Sequence, residues 1–442
     1  MTGRYRIAII TSSFPPQSGG IAAAHFNLFH ELGRRNEVHA FTFRDADRRP
    51  IDGVTHGYAS AATKRLFRSI IRRRFRKRPS EPLVHVDRIA ETAAIVRNLN
   101  RSVARFRPDI ILCPDHYVPA LMLRKPPGCR LVWMARNNYM RFVDQPLVPP
   151  PSTDDLHLAH RLELRGVRKA DAVISPSNYM VDVFRKTLRD DLPIRVAKNF
   201  VRFDHLASIR PSNLHAQLGL HPSRPIVYVP SGGVPMKGRR HLAEIARGLS
   251  ILDDPIGLYV SGPIFNDLRW ELEQLHPQVR CHLPGAVDYQ TNLKNVAACS
   301  LTISPTLIEN LSNALVESLS LGVPVVTFDT GGNHEIVLAG RTGVVVPYAD
   351  VTALIRESVT LLNGSERLTV LADRCAAETQ QIIDTNSIVD HYQTLFDQLH
   401  GHANKSGDGA SVPSVAPPDE PIACSPSVVD SPSVGDIGEV KC

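Results

Sequence analysis

Two glutamates, Glu309 and Glu317, stand eight residues apart in the stretch SPTLIENLSNALVESLSLGVPVVTFDTGGNHEIV, residues 304–337. Leu301 to Ser304 is apolar and reads as a buried parallel strand, while Asn313 to Leu321 has helical periodicity. The turn between them presents free backbone N–H groups, and such helix starts bind anions. Glu309 falls in that turn. Glu317 falls about five residues into the helix, roughly 7–8 Å further along the axis at 1.5 Å per residue. Two carboxylates on either side of an anion-binding helix end suit a ligand with hydroxyls at both ends and a pyrophosphate in the middle. A nucleotide sugar is such a ligand.

Positioning these groups takes strands that end at a common edge, and the chain has the pattern for it. Apolar strands at Tyr5–Thr11, Glu37–Phe43, Val54–Tyr58, Asp109–Cys113, Leu131–Ala135 and Ala172–Ser175 alternate with helical stretches at Ile21–Arg34, Val86–Phe106, Asp155–Arg168 and Asn178–Leu188. That rhythm predicts a doubly wound parallel sheet. A second series begins at Pro225, with strands at Ile226–Val229, Ile256–Ser261, Val279–His282, Leu301–Ser304, Val323–Phe328 and Val344–Val346. The expected division is a first domain over 1–200, a second over 201–385, a closing helix over 386–400 and a disordered tail over 401–442. The tail is dominated by Ser, Pro, Gly and Asp.

A chain of 442 residues with 43% hydrophobic and 21% charged residues is long enough for two ordinary globular domains. No apolar run approaches the 18 or so residues that span a bilayer. The start reads as a first strand and no signal peptide is expected. Seven cysteines, an odd number without close pairs, point to neither a zinc site nor a disulfide framework, so a reducing cytoplasm is the expected location. The net charge of +7 is local: residues 64–78, KRLFRSIIRRRFRKR, hold nine of the 51 Lys and Arg and no acid. Leu66, Phe67, Ile70, Ile71 and Phe75 recur there at helical spacing, with Arg68, Arg72, Arg73, Arg74, Arg76, Lys77 and Arg78 opposite. This predicts a basic amphipathic helix docked on an anionic membrane surface, peripheral on the inner face of the cell membrane. The alternative is a helix packing its apolar stripe on its own domain. No nucleic-acid module accompanies the patch.

The Glu pair, the strand after it, Gly331-Gly332 and Glu335-Ile336-Val337 together resemble the donor-site signature of retaining GT-B glycosyltransferases of family four. The same order of markers continues in Gly19-Gly20, Ser175-Pro176-Ser177, Asn199, Lys237-Gly238 and Gly343. The resemblance implies an α/β fold of two facing Rossmann-like domains with a cleft between them and a C-terminal helix crossing back. It implies a metal-independent retaining transfer from a nucleoside diphosphate sugar, used as co-substrate without a further cofactor, to an acceptor hydroxyl in cell-surface polysaccharide, lipopolysaccharide or glycolipid synthesis. Carried over residue by residue, Glu317 binds the donor ribose and Glu309 contacts the transferred sugar. Asn310, Leu311 and Ser312 supply backbone N–H groups to sugar and phosphate. Lys237 neutralises the diphosphate leaving group, and Gly19 and Gly20 let the first domain's loop approach the donor phosphates or the acceptor.

Two positions depart from the family pattern. The Arg found five residues before the Lys is Gly232 here, which leaves Arg239 and Arg240 as candidate replacements. The His found after the fifth strand is Arg136, followed by Asn137, so sugar or acceptor contact falls to these two. Both departures keep alternatives open: a noncatalytic nucleotide-sugar-binding or scaffold subunit of a glycan assembly complex, or a GT-B epimerase.

Overall fold

In a computed structural model of the chain the described residues are 5–14, 20–43, 51–73, 82–143, 145–148 and 152–401. Gly19, the basic residues Arg74, Arg76, Lys77 and Arg78, and the tail from 402 to 442 lie outside them. The first sheet contains β1 (Arg6–Thr11), β2 (Glu37–Thr42), β3 (Val54–His56), β4 (Ile110–Pro114), β5 (Arg130–Met134), β6 (Ala172–Ser175) and β7 (Ile194–Val196). The second contains β8 (Ile226–Val229), β9 (Ile256–Ser261), β10 (Val279–Gly285), β11 (Leu301–Ser304), β12 (Val325–Phe328) and β13 (Gly343–Val346). Every pairing is parallel. The central strands are mostly apolar because helices cover both faces, and β4, β8, β11 and β12 are buried along their whole length. The edge strand β7 extends the first sheet beyond the six strands read from the sequence.

Spatial order is β3-β2-β1-β4-β5-β6-β7 in one sheet and β10-β9-β8-β11-β12-β13 in the other. Each order reverses once, between β1 and β4 and between β8 and β11. At such a switch point neighbouring helices depart to opposite faces and leave a crevice beyond the carboxyl ends of the strands. The Lys237 loop follows β8 and the Glu309 loop follows β11, so both flank the second crevice. Asp115 and His116 follow β4 and Arg136 follows β5, on the opposite wall.

An apolar cluster joins the two sheets: Ile7, Ile9 and Leu28 of the first half share it with Leu315, Val316 and Phe396. The helix Thr385–Leu399 contributes to both. It reaches the first sheet through Tyr5, whose hydroxyl donates to Asp397 at 2.7 Å and whose ring meets Phe396 edge-on at 5.9 Å. Arg35 pairs with Asp390 at 2.5 Å, and Phe200 stacks on Tyr392 at 6.0 Å.

The basic segment forms a helix over Ala61–Arg73, but its apolar stripe is divided. Phe67 is buried and Ile71 packs on the first core, while Leu66 is 55% and Ile70 46% exposed. Successive residues are 100° apart on a helix, so a helix lying on one neighbour buries only one of each adjacent apolar pair. That neighbour, Val84–Phe106, also takes two of the arginines. Arg72 holds Asp87 with two bonds of 2.8 and 2.5 Å, and Arg68 lies 3.0 Å from Glu91. Arg68 and Arg72, expected to face a membrane, are thus paired within their own domain while their side chains remain 37% and 51% exposed.

Phe396→Ala empties a fully buried position in the shared cluster and is expected to cost about 3–5 kcal/mol. Urea unfolding followed by Trp133, buried in the first sheet, measures it; a midpoint unchanged from wild type would separate the first sheet's stability from the crossing helix.

Candidate functional site

The loop of residues 305–312 carries Glu309 from β11 to the helix Asn313–Ser320, and neighbours fix its backbone from several sides. The N–H groups of Leu307 and Ile308 donate to the Met236 carbonyl at 3.0 and 3.2 Å, which ties it to the Lys237 loop. Thr330 Oγ1 donates to Thr306 O at 2.9 Å and Gly332 N–H to Asn310 O at 2.7 Å. Gly331 has φ +60°, and a Cβ there would collide with the Glu309 carbonyl. Gly238, at φ +87°, is pressed in the same way against the Pro305 carbonyl. Only glycine allows both the left-handed backbone and this approach.

Lys237 closes the short 3₁₀ turn Pro235–Lys237 after β8 and reaches Glu309 Oε2 at 2.5 Å. Burial pushes the Glu309 carboxyl up, yet the Lys237 charge, its hydrogen bond and the Asn310 N–H outweigh it and hold the group below the usual carboxylate range. Glu317 sits one and a half turns deeper and accepts from the Tyr289 hydroxyl at 3.1 Å. Among the described residues no cation pairs with it, and burial lifts its pKa to about 7 against that single opposing hydrogen bond. The two glutamates, read from the sequence as a pair, are thus electrostatically distinct.

A cavity of about 580 Å³ separates this wall from the first domain. Glu309, Asn310, Leu311, Ser312, Glu317 and Lys237 line one side. Arg136 and Asn137 line the other, so the structure brings these sequence-derived candidates together. Gly20 begins the helix Gly20–Gly33, whose next residue, Ile21, borders the cavity. Arg239 and Arg240 do not border it: Arg239 pairs with Asp267 at 2.5 Å, and Arg240 donates to Leu147 O at 3.4 Å. Neither fills the place left by Gly232. The backbone N–H of Asn310 is engaged by Glu309 Oε1 at 3.0 Å, and that of Leu311 by the Asn310 side chain. Both amides are thus satisfied locally here, instead of being free as their expected role requires.

Two hydrogen bonds cross the cleft at this loop. Asn310 Nδ2 donates to Arg136 O at 2.6 Å, and Arg141 Nη2 donates to Glu309 O at 2.6 Å. Behind Arg136, the buried Asp115 accepts the N–H groups of Arg136 and Asn137 at 2.7 and 2.6 Å. Burial, with repulsion from Glu163, lifts Asp115 to about 7. His25 and His116 also line the cavity. Burial lowers both, and the Arg136 charge adds to it, leaving His116 at about 4.

Asp115, His116, Arg141, His25 and Tyr289 are not among the residues expected from the sequence. A signal existed for Asp115 and His116, polar residues immediately past an apolar strand. It did not exist for His25, which sits on the apolar face of its helix. The turns themselves are strained: Tyr117, Val118, Asn138 and Ser231 hold positive φ at or just beyond the ends of β4, β5 and β8. For a β-branched residue such as Val118 this costs free energy.

A carboxyl with a raised folded pKa stabilises the fold most below its unfolded pKa, and the contribution is lost as pH rises through the folded value. For Glu317 that loss runs up to and through about pH 7. Glu317→Gln is therefore expected to raise Tm by about 2–4 °C at pH 8, the shift of roughly 1 kcal/mol in a domain of this size, and by much less at pH 5. Thermal unfolding at the two pH values checks this; equal effects at both would refute the assignment.

Residues 18–205 match the family described as Glycosyltransferase Family 4, and residues 212–377 match Glycosyl transferases group 1. The N-acetyl-alpha-D-glucosaminyl L-malate synthase of Bacillus anthracis is 21% identical over 232 residues, 52% of this chain and 60% of that protein. The chain thus spans about three fifths of the length of this curated relative. Sucrose-phosphate synthase from Thermosynechococcus elongatus shares the fold with a TM-score of 0.71 at 17% identity, over 90% of this chain and all of that one. The Anabaena protein HepE, solved in complex with UDP-glucose, does so with a TM-score of 0.60 at 17% identity, over 89% of this chain and 99% of its own. With two facing parallel-sheet domains and these two matches covering both, the chain belongs to the group 1 glycosyltransferases of GT-B fold.

Proposed function

We propose that this protein is a retaining glycosyltransferase that moves a sugar from a nucleoside diphosphate sugar to an acceptor hydroxyl without a metal. The observation that carries the reading is the Lys237–Glu309 pair at 2.5 Å on the cavity wall, with Glu317 on the helix Asn313–Ser320 that follows the Glu309 loop. In this reading the donor diphosphate takes the Lys237 ammonium from Glu309, and the ribose hydroxyls donate to Glu317. Asn310, Leu311 and Ser312 turn their amides to the sugar and phosphate once the ligand displaces the local side-chain partners. The bond from the anomeric carbon to the diphosphate oxygen breaks as the acceptor oxygen bonds the same carbon on the same face. The acceptor proton passes to the departing diphosphate. Glu309, released from Lys237, faces the cationic character that develops on the sugar, and Lys237 balances the charge growing on the leaving group.

HepE was solved in complex with UDP-glucose, and the relative from Bacillus anthracis is named for a glucosaminyl product; both support a nucleotide-sugar donor here. Lys237→Ala and Glu309→Ala are each expected to lower kcat by about 10²–10³, the loss seen when one preorganised charge-stabilising group is removed. Both variants should stay folded by circular dichroism. Proton NMR of the first product formed checks the stereochemistry: an anomeric configuration inverted relative to the donor would overturn the retaining assignment.

We also propose that the Ala61–Arg73 helix docks on an anionic membrane and brings the protein to a lipid-linked or cell-surface glycan precursor. Leu66 and Ile70 are exposed one turn apart, and Arg65 and Arg73 are exposed on the same helix. No described helix is long and apolar enough to cross a membrane. Vesicles containing phosphatidylserine should sediment the protein at low salt and release it in 0.5 M salt, about the range where a Debye length falls below 5 Å. Leu66→Ser/Ile70→Ser should weaken sedimentation; equal binding to neutral vesicles, or none at low salt, counts against docking.

A further inference from the structure

Arg136 stands in the cavity wall with its backbone fully held and its charge unanswered. Its N–H goes to Asp115 Oδ2 and its carbonyl accepts from Asn310. Among the described residues no carboxylate forms an ion pair with its guanidinium. The titratable groups that feel its charge are His25, His116 and Tyr392, the last also within hydrogen-bonding reach of the guanidinium through its hydroxyl, and all three are neutral at physiological pH. Lys237, the cation opposite, already has Glu309 as its partner. A guanidinium in a partly enclosed cleft without a counter-ion is stabilised when an anionic ligand supplies one, through paired N–H donors that match a carboxylate or phosphate.

His25 adds a second, independent feature. Its ring is fully buried, borders the cavity, and has one nitrogen, Nε2, without a partner. The hydrogen-bond network assigns the proton. Thr11 Oγ1 donates to Ser13 O at 2.8 Å, so its lone pairs face His25 Nδ1 at 2.6 Å. Nδ1 therefore carries the hydrogen of the neutral ring and Nε2 is a bare acceptor. Leaving a buried acceptor unpaired costs free energy that a ligand hydroxyl recovers.

We propose that Arg136 receives an anionic group, a carboxylate or phosphate, borne by the acceptor or by the transferred sugar, and that His25 Nε2 accepts a hydrogen bond from a hydroxyl of the same molecule. This rests on reading the cleft as a glycosyl-transfer site, and it gives the substrate a chemical class that a neutral sugar does not meet. The guanidinium stands among groups of the first domain and the crossing helix, whereas Lys237 faces the donor phosphates from the second. The anion it takes is thus distinct from the diphosphate.

UDP, ADP and GDP are first compared for thermal stabilisation of the full chain, and the nucleotide that binds is used throughout. One arm sets its glucose derivative against its glucuronic acid derivative as donor. The other sets glycerol against glycerol 3-phosphate as acceptor, with product counted. The anionic member should be preferred by roughly ten- to hundredfold in KM in one arm, the size of a charged hydrogen-bonded contact, and that arm identifies the source of the anion. Arg136→Gln should abolish the preference and Arg136→Lys restore part of it. Affinity for the nucleoside diphosphate should stay within about twofold in both variants, the small change expected for a charge that does not contact the diphosphate. His25→Asn should raise KM for the preferred substrate while leaving its anion preference in place. No preference in either arm with wild-type protein overturns the proposal and leaves the transfer reading intact. So does a parallel fall in diphosphate affinity in Arg136→Gln, which would assign the guanidinium to the leaving group. If none of the three nucleotides binds, the transfer reading fails and the proposal fails with it.

Discussion

The structure depends on the loop of residues 305–312 being held from both domains at once. Arg141 and Asn310 bridge it to the first domain, the Met236 carbonyl fixes its start, and Gly331 leaves just enough room for the Glu309 carbonyl. A loop that leaves a parallel strand has no ladder of its own, so its geometry is set by whatever satisfies its backbone groups. Here those partners come from β5, β8 and β12 as much as from its own strand. Its position is consequently a property of the assembled pair of domains.

The electrostatics of the cleft follow from that placement. The same burial that lifts Glu317 to about 7 acts on Glu309, and the difference is the Lys237 ammonium at 2.5 Å. One carboxylate is kept ionised by a partner that a diphosphate can compete for, while the other is poised to gain hydrogen-bond donors. On the facing wall, neutral imidazoles surround an arginine whose charge nothing in the described structure cancels. The cleft therefore presents different chemistry at its two ends, which a ligand with a charged middle and a polyhydroxyl end can match.

Much of this was legible in the sequence, and the reasons it stopped are specific. Parallel strands buried on both faces appear as plain apolar runs, so twelve of the thirteen strands among the described residues were placed to within three residues at their ends. Only the three-residue edge strand Ile194–Val196, half-exposed and barely patterned, was not separated from the linker. Glu309, Glu317 and Lys237 were found because a motif fixes their spacing locally. Arg141 and His25 were not, since their partners lie 168 and 14 residues away along the chain and no local pattern records that. The basic helix was read as one apolar face because spacing alone does not say which neighbour it meets; Asp87 and Glu91, presented by that neighbour, take Arg72 and Arg68 as ion-pair partners.

The crossing helix has a consequence for how the protein is made. Phe396 and Tyr392 complete the apolar surface on which Tyr5 and Phe200 of the first domain rest. During synthesis at about 5–20 residues per second, the first domain leaves the ribosome with that surface bare, and it stays so until residue 399 has followed. A protein that is sequentially two domains is thus kinetically one. Its N-terminal half waits, with an apolar face open to chaperones or to another nascent chain, for the last turns of the C-terminal half to arrive.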